Sequence, residues 1–250
     1  MNTENKTLII VPTYNERENV PSLVREIFKY VPDAHVCIVD DNSPDGTAAH
    51  AEALFGSDPR FSVLRRTGAR GLGRSYVDGY RKALAEGYAR LVQMDADFSH
   101  DPKSIPSLIE ASAQADVVVG SRYCPGGGIG NWPLRRRLLS RFANRYVGTI
   151  IGLRCNDSTS GFRCYNRRAL ELVLDGQIVS DGYAFLVESM YWINEAGLRV
   201  KEVPITFVDR REGQSKISRA VIFESVILPW RLRLQSGTRP GAQLLGQTQD

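Results

Sequence analysis

Short apolar runs alternate with amphipathic segments through the first half of the chain. The runs predicted as buried strands are Leu8–Val11, Val36–Val39, Phe61–Leu64, Leu91–Met94 and Val117–Val119. Between the first two runs, apolar residues recur at helical spacing, and Asn15 with Glu18 is a candidate capping box at the start of that helix. A further helix is predicted over Ser75–Glu86, and Asp101 with Pro102 is a predicted helix start. This alternation predicts an α/β fold with a mostly parallel central sheet flanked by helices.

The second half of the chain has a different pattern, with longer helices and fewer strands. A glycine-rich loop at 125–130 precedes an arginine-studded amphipathic helix predicted over Leu134–Ile151. The elements predicted after it are a strand at Phe162–Tyr165, a helix at Tyr183–Ala196 and a strand at Val200–Phe207. Ile217–Leu234 is predicted as a helix with a wide apolar face that Pro229 interrupts, and residues 236–250 as a disordered tail.

Composition places the chain among soluble globular proteins. Its 250 residues are 42% hydrophobic and 24% charged, which argues against disordered, collagen-like and coiled-coil chains. No run approaches the roughly 20 apolar residues of a bilayer span, and the N-terminus lacks a signal-peptide pattern, so the prediction is a cytoplasmic location. The cysteines lie far apart without metal-site spacing, and we expect them to be reduced and structural.

Charge is distributed unevenly along the chain. The net charge is only +4, yet residues 117–156 contain no Asp or Glu and hold seven arginines. Such a stretch is suited to anions, which include phosphates, an acidic membrane surface and nucleic acid. The alternative for Arg135, Arg136, Arg137 and Arg141 is an ordinary solvated helix face.

An acidic triplet is the most informative motif. Asp95, Ala96 and Asp97 directly follow the strand Leu91–Met94. Carboxylates at positions i and i+2 point the same way, into the crevice at the carboxyl edge of a parallel sheet. Mg²⁺ is commonly held by one or two carboxylates together with substrate phosphates, so the pair predicts a metal–diphosphate site. An exposed turn is the alternative, and His100 is predicted to support the motif from behind it.

Two other polar clusters follow the first two predicted strands. They are Val11–Glu16 and Val39–Thr47, and parallel strands bring all three clusters to one sheet edge, where they would converge on a nucleotide. Asp45-Gly46-Thr47 also fits a simple turn and helix cap. Gly71-Leu72-Gly73 is no dinucleotide fingerprint, because Tyr76 replaces the third glycine, and it predicts a turn before a helix.

With these motifs the chain resembles the inverting family 2 glycosyltransferases of the GT-A fold, and within them the polyprenol (dolichyl) phosphate mannose synthases. The resemblance covers about Leu8 to Leu234. Besides the three acidic clusters, it is carried by Gly68–Gly73, Gly120–Tyr123 with the following GGGIGNWPLRRRLLS, Asp157–Arg163 and Phe207–Lys216.

The resemblance implies a transfer of mannose from GDP-mannose to a polyprenyl phosphate, with Mg²⁺ or Mn²⁺ as cofactor. By this resemblance, the residues that bind the nucleotide sugar are Pro12, Tyr14, Glu16, Val39, Asp41, Asp95, Ala96, Asp97, Arg210 and Lys216. The metal ligands would be Asp97 and Ser99, and the acceptor phosphate would bind Arg122, Arg136 and Ser140. The implied catalytic set is Asp95, Asp97, Arg122, Arg210 and Lys216.

The implied domain is a single GT-A unit over residues 1–235, with a nucleotide-binding half at 7–121 and an acceptor-binding half at 122–235. The expected chemistry suits the charge pattern, since a phosphate monoester is already anionic near neutral pH and needs no catalytic base. A metal ion and cationic side chains instead bring the two anions together and stabilise the leaving diphosphate.

Several alternatives stay open from sequence alone. UDP-glucose or another nucleotide sugar is the alternative donor, and a non-catalytic nucleotide- or membrane-binding subunit is the alternative of another class. Many members of the resembled family continue into transmembrane helices or use a membrane-anchored partner. Ile217–Leu234, with Trp230 and nearby basic residues, fits an interfacial helix or a core helix. We expect peripheral association with the cytoplasmic face of a membrane and no nucleic-acid partner, and a membrane-anchoring subunit is a candidate partner.

Overall fold

A seven-stranded sheet forms the centre of the protein. The computed structural model describes residues 6–176, 178, 180, 182–208 and 219–235. The strands are β1 (Thr7–Thr13), β2 (His35–Asp40), β3 (Phe61–Arg65), β4 (Arg90–Gln93), β5 (Val117–Ser121), β6 (Gly128–Ile129), β7 (Arg163–Asn166), β8 (Val200–Pro204) and β9 (Thr206–Phe207). The helices are α1 (Asn19–Tyr30), α2 (Thr47–Phe55), α3 (Leu72–Ala85), α4 (Ile105–Ala111), α5 (Leu134–Ile151), α6 (Arg167–Asp175), α7 (Gly182–Glu195) and α8 (Arg219–Gln235).

The main sheet has the strand order β3-β2-β1-β4-β7-β5-β8. All pairs are parallel except those of β7, which runs antiparallel to both β4 and β5. The predicted mostly parallel α/β sheet is confirmed. Because β1 lies between β2 and β4, the three polar clusters that follow these strands meet at one edge of the sheet.

Alternate residues of the strands pack on opposite faces, which gives two apolar layers. Ile9 and Val11 of β1 belong to the layer that includes α1 and α4. Leu8 and Ile10 belong to the layer that includes α3, α6 and α7. A strand buried on both faces requires a continuous apolar run, which explains why these strands were recognisable in the sequence.

A third apolar cluster joins α5, α7 and α8. Leu228 and Leu232 of α8 are buried against Val147 and Ile150 of α5 and against residues of α7. The Trp230 indole N–H donates to the Tyr146 hydroxyl at 2.9 Å. One side of the predicted C-terminal helix is therefore core, whereas the Trp230 side chain is 53% exposed.

No helix in the described ranges combines the length and apolarity that a membrane crossing requires. All four cysteines are buried free thiols, as expected of structural cysteines. The predicted disordered tail at 236–250 lies outside the described residues.

The predicted capping box at the start of α1 is wrong. Glu18 is the N-cap residue and makes no side-chain cap hydrogen bond, while Asn15 has a left-handed backbone with φ of 59°. The cause is a tertiary contact: the Asn15 backbone N–H donates to Ser43 Oγ at 3.0 Å and that of Glu16 to Thr47 Oγ1 at 3.1 Å. The Val11–Glu16 cluster is thus bound to the Val39–Thr47 cluster.

Two other predicted boundaries differ from the structure. The single strand predicted over Val200–Phe207 ends at Pro204 and resumes as β9, which pairs with β6 in a separate two-stranded sheet. The interruption is at Ile205, whose N–H donates to Ser121 O at 3.0 Å. Helix α3 begins at Leu72, earlier than the predicted Ser75, because the turn at Gly71 already starts its hydrogen-bond ladder.

Candidate active site

The loop after β4 holds the acidic triplet in a fixed conformation. The Asp95 carboxylate accepts from the Tyr76 hydroxyl at 3.1 Å, and the Asp95 backbone N–H donates to His100 Nδ1 at 3.0 Å. Asp97 Oδ1 accepts from the Ser99 backbone N–H at 3.0 Å. Both carboxylates remain partly exposed at the crevice.

The sharp turn of this loop depends on Phe98. Its φ of 60° is in the left-handed region, which a bulky side chain rarely adopts and which costs about 1–3 kcal/mol. The turn brings the Ser99 N–H back onto the Asp97 carboxylate. Backbone strain of this kind is often found at functional sites.

Ser99 and Asp97 fit a divalent cation. The Ser99 hydroxyl is buried and has no hydrogen-bond partner among the described residues, so an oxygen donor is available beside a carboxylate. No three His, Cys, Asp or Glu side chains of the described ranges gather closely enough to hold a metal ion by themselves. The donor set therefore fits a cation that completes its shell with water and substrate oxygens, as Mg²⁺ commonly does.

His100 supports the loop from behind, as the sequence predicts. Burial lowers the pKa of His100, although the neighbouring Asp95 and Asp97 act in the opposite direction. Because its Nδ1 accepts from the Asp95 N–H, the neutral ring carries its proton on Nε2.

The predicted nucleotide-binding residues of β1 and β2 lie beside this loop, at the same sheet edge. Tyr14 stacks beneath the guanidinium of Arg70, with 4.5 Å between the guanidinium carbon and the ring centroid. The Asp41 carboxylate accepts from the Gly71 N–H at 2.8 Å and forms an ion pair with Arg66. Asp41 thereby fixes the loop that precedes α3.

Other predicted nucleotide contacts are restricted to the backbone. The side chains of Val39 and Ala96 are buried in the apolar layers, so a nucleotide could reach only their main-chain atoms.

The side chain of Glu16, another predicted nucleotide contact, accepts from the Asn19 side chain at 2.8 Å. Arg210 and Lys216, also predicted for the leaving diphosphate, lie outside the described residues.

Arg122 follows β5 and is held by the buried carboxylate of Asp157, which the sequence marked only as the first residue of the Asp157–Arg163 motif. Its Nε and Nη2 donate to the two oxygens of Asp157 at 2.7 and 2.6 Å. Nη2 also donates to Thr159 Oγ1 at 2.8 Å. Asp157 is fully buried and Arg122 nearly so.

The other predicted acceptor residues lie on or next to α5. Ser140 Oγ accepts from the Tyr123 hydroxyl at 2.7 Å, and Tyr123 is the residue that follows Arg122. The Arg136 guanidinium lies over the Trp132 ring, 3.8 Å from its centroid. Arg122, which follows β5, is thus brought into one neighbourhood with Arg136 and Ser140, which lie one turn apart on α5.

A cluster of rings connects this neighbourhood to the acidic loop. The Phe207 ring makes edge contacts with both Trp132 and His100, at centroid distances of 5.4 and 5.7 Å. Arg122 lies over the same Phe207 ring at 5.3 Å. The Phe207 ring therefore links the arginines to the acidic loop, so that the two groups form two sides of one candidate site.

The 157–163 loop packs between the two sides and contains a residue whose role the sequence could not reveal. Arg163 is completely buried, and its guanidinium donates to the carbonyls of Ser158, Ser160 and Leu186 at 2.7–3.0 Å. Asn144 of α5 accepts from the Ser158 hydroxyl at 3.2 Å. Only the Asp157–Arg163 motif itself signalled this loop, because nothing in the sequence distinguishes a buried arginine from an exposed one.

The sheet, the carboxylate loop at its carboxyl edge and the facing arginines define a glycosyltransferase of the GT-A fold. More particularly, the chain belongs to glycosyl transferase family 2, whose model matches residues 8–174. The predicted fold and enzyme class are confirmed.

Two curated relatives are similar over most of their length. A polyprenol monophosphomannose synthase from Mycolicibacterium smegmatis is 44% identical over 232 residues, which is 91% of this chain and 88% of the relative. An undecaprenyl-phosphate mannosyltransferase from Micrococcus luteus is 42% identical over 222 residues, with 89% and 91% covered.

Solved structures support the fold. A glucosyl-3-phosphoglycerate synthase from Mycobacterium tuberculosis, in complex with Mn²⁺, UDP-glucose and phosphoglyceric acid, superposes with a TM-score of 0.66 at 17% identity. The superposition covers 95% of this chain and 81% of the other. The same enzyme with Mn²⁺, UDP and phosphoglyceric acid gives a TM-score of 0.63 at 15% identity, covering 95% and 80%.

Proposed function

We propose that this glycosyltransferase transfers mannose from GDP-mannose to a polyprenyl phosphate and inverts the anomeric configuration. The support comes from two relatives above 40% identity that are named for mannosyl transfer to polyprenol carriers. The observation that carries the proposal is the placement of Arg122, Arg136 and Ser140 across one ring cluster from Asp95 and Asp97.

The chemistry requires a site that brings two anions together. A phosphate oxygen of the acceptor attacks the anomeric carbon from the side opposite the diphosphate, and the carbon–oxygen bond to GDP breaks with its electron pair on GDP. An α-linked donor thereby gives a β-linked phosphosugar. Because the attacking oxygen is already anionic, the protein contributes orientation and charge compensation in place of a base.

The two sides of the site divide these tasks. Arginine is well suited to phosphate because its guanidinium donates in a planar fork, and we assign Arg136 with Arg122 and Ser140 to the acceptor phosphate. On the donor side we assign the ribose and diphosphate to Asp95 and Asp97, with Arg210 and Lys216 on the leaving diphosphate.

Asp97 and Ser99 would hold a Mg²⁺ or Mn²⁺ ion. Such an ion, when bound, neutralises the diphosphate and stabilises the charge that develops as it leaves. The protein's own contribution is the turn at Phe98, which presents the Asp97 carboxylate and the Ser99 hydroxyl together, and the His100 ring, which fixes the Asp95 backbone.

The division of the chain into functional halves follows from this assignment. We assign the donor nucleotide to residues 7–121 and the lipid acceptor to 122–235.

The acceptor half also carries the exposed apolar surface of the described residues that best suits a membrane. On α5 the exposed apolar side chains are Leu134, Leu138, Leu139 and Phe142, between exposed arginines. We infer peripheral binding to the cytoplasmic face of a membrane through this helix and α8.

Donor selectivity is the part of the proposal that a binding experiment tests. Thermal unfolding should be measured with Mn²⁺ and either GDP-mannose or UDP-glucose at equal concentration, because a ligand that binds the folded state raises the midpoint, and the tighter ligand raises it more. We expect GDP-mannose to give the larger shift, and the Asp97→Ala variant to lose the metal-dependent part of it. A larger shift with UDP-glucose would overturn the donor assignment.

A further inference from the structure

Trp132 lies in the acceptor neighbourhood with an unsatisfied hydrogen-bond donor. Its indole Nε1 is buried and has no hydrogen-bond partner among the described residues. A buried donor without an acceptor is destabilising, so native proteins rarely keep one without a role.

The position of Trp132 between the two acceptor arginines indicates what that donor is for. The guanidinium carbon of Arg136 lies 3.8 Å from the Trp132 ring centroid, and that of Arg122 lies 5.9 Å from it. The Arg136 guanidinium, which lies directly over the ring, gives the surroundings of the indole N–H a positive potential. An anion is the acceptor that such a place favours.

The two arginines are held in chemically different ways. Arg122 uses Nε and Nη2 on Asp157 and Thr159, and its charge is balanced by the buried Asp157 carboxylate. Arg136 is attracted by the Trp132 π face, an interaction that uses no N–H group and leaves the positive charge uncompensated by Trp132. Trp132 thus positions the Arg136 cation without neutralising it.

The backbone around Trp132 is arranged to fix the ring. Asn131, directly before it, has a left-handed φ of 59°, a conformation that asparagine tolerates better than most residues. Just upstream, β6 pairs with β9, and the Gly130 N–H donates to Phe207 O at 2.8 Å. The Phe207 side chain then packs edge-on against the Trp132 ring.

The loop before β6 requires a glycine at position 127. A Cβ there would lie 2.5 Å from Ser121 O and 2.9 Å from the Arg122 carbonyl carbon, so the loop closes directly onto the end of β5. The loop that carries Trp132 is therefore fixed at two places. Gly127 packs against Ser121 and Arg122, and Gly130 and Trp132 contact Phe207.

We propose that Trp132 is a binding residue for the acceptor phosphate: its indole N–H donates to a phosphate oxygen while its face positions Arg136. The inference rests on the proposed function, since it identifies a further ligand of the same lipid phosphate. It assigns to the site one neutral donor in addition to the two guanidinium groups and the Ser140 hydroxyl.

The Trp132→Phe variant tests the N–H group, because it keeps an aromatic face for Arg136 and removes only the donor and the larger ring. We expect the KM for a short-chain polyprenyl phosphate to rise about tenfold or more, since hydrogen bonds to charged groups are the strong ones. GDP-mannose affinity should stay within twofold, and the free energy of unfolding should be unchanged or higher, because a buried unsatisfied donor has been removed.

Trp192 provides a matched control. Its Nε1 is also buried without a partner in the described part of the chain, yet it lies on α7 beside Tyr191, and the aromatic rings that Arg122 and Arg136 contact do not include it. Trp192→Phe should leave the acceptor KM unchanged. An acceptor KM within twofold of wild type in Trp132→Phe, or an equal rise in Trp192→Phe, would overturn the inference.

Fluorescence gives a readout that does not depend on turnover. The chain has three tryptophans, so a Trp192→Phe/Trp230→Phe variant emits from Trp132 alone. Short-chain polyprenyl phosphate should change this emission with a midpoint near its KM, and a dephosphorylated polyprenol should not. Wild-type protein that fails to use any polyprenyl phosphate would refute the proposed function. Normal turnover with no emission change would refute only the role of Trp132.

Discussion

Arg122 and Asp157 form a two-pronged ion pair in which both partners are buried. The Arg122 backbone N–H also donates to Asp157 Oδ2, at 2.9 Å, so the carboxylate accepts three hydrogen bonds from one residue. The pair joins the end of β5 to the 157–163 loop. Its geometry fixes the direction of the guanidinium more tightly than a surface pair could, because burial excludes competing water.

We predict that Asp157→Asn weakens acceptor use by at least tenfold in KM and leaves GDP-mannose binding near wild type. The amide cannot accept both guanidinium hydrogen bonds, so Arg122 loses its alignment. Asp157→Ala should cost about 3–5 kcal/mol of stability, because it leaves a buried charge without its partner. Steady-state kinetics and urea unfolding of each variant provide the measurements.

Asp116 at the other end of β5 is the control for this prediction. It is also buried, and it accepts from the Arg199 backbone N–H and the Asn166 side chain, both at 2.8 Å. Asp116→Asn should destabilise the fold and spare the acceptor KM. Similar acceptor defects in both variants would mean that the Asp157 effect is general loss of stability.

Ser99→Ala should separate metal binding from folding. The buried hydroxyl has no partner among the described residues. Its removal should therefore leave the free energy of unfolding, measured without metal, unchanged or slightly higher. The increase in unfolding temperature on adding Mn²⁺ with GDP should fall below that of wild type. If Mn²⁺ with GDP stabilises both proteins equally, Ser99 is not a ligand.

His35 gives the fold a defined pH dependence away from the site. Burial, followed by the nearby Lys6, lowers the pKa of His35 below 6.5, and its Nδ1 pairs with the Tyr88 hydroxyl at 2.7 Å. The unfolded chain therefore takes up a proton that the folded chain does not, and stability present above pH 6.5 is lost as pH falls toward the folded-state pKa.

The corresponding slope is up to about 1.4 kcal/mol per pH unit for one histidine. Urea unfolding across this range should show a shallower slope in His35→Gln than in wild type. Burial also lowers the pKa of His100, so part of the slope should persist in the variant. Parallel pH profiles would contradict the role of His35.

Membrane association should depend on the exposed apolar face of α5. Leu138 and Phe142 are 59% and 67% exposed, and exposed arginines flank them. We expect sedimentation with liposomes that contain anionic lipid, weakened by salt and reduced in Leu138→Ser/Phe142→Ser. Leu54→Ser, which changes an exposed leucine on α2, should bind as wild type does. Equal binding by all three proteins would exclude α5 as the contact.

The extent to which sequence predicted this structure depended on the range of the interactions. The apolar runs and the Asp95–Asp97 triplet are local patterns, and burial of β1 on both faces makes its run continuous, so the fold and the acidic edge were predictable. The capping box failed because Asn15 and Glu16 bond to residues about thirty positions away. Such pairings leave no local signal.

The acceptor side shows the same limit. The acid-free stretch around Arg136 indicated an anion site, but neither the Asp157 partner of Arg122 nor the ring contact between Arg136 and Trp132 follows from spacing. Position 229 in α8 is another example, since a proline suggested an interruption and the helix continues through it. There the packing of α8 on α5 and α7 outweighs the local preference.

Transfer of labelled mannose tests the central claim most directly. The protein should be incubated with radiolabelled GDP-mannose, Mg²⁺ and a polyprenyl phosphate, and the lipid product extracted and its anomeric configuration determined by NMR. We predict that the extracted lipid contains one mole of labelled mannose for each mole of GDP released, and that the mannose is β-linked. The Asp97→Ala variant should form no product. Protein that binds GDP-mannose yet labels no polyprenyl phosphate, or that transfers glucose from UDP-glucose in preference, would contradict the account.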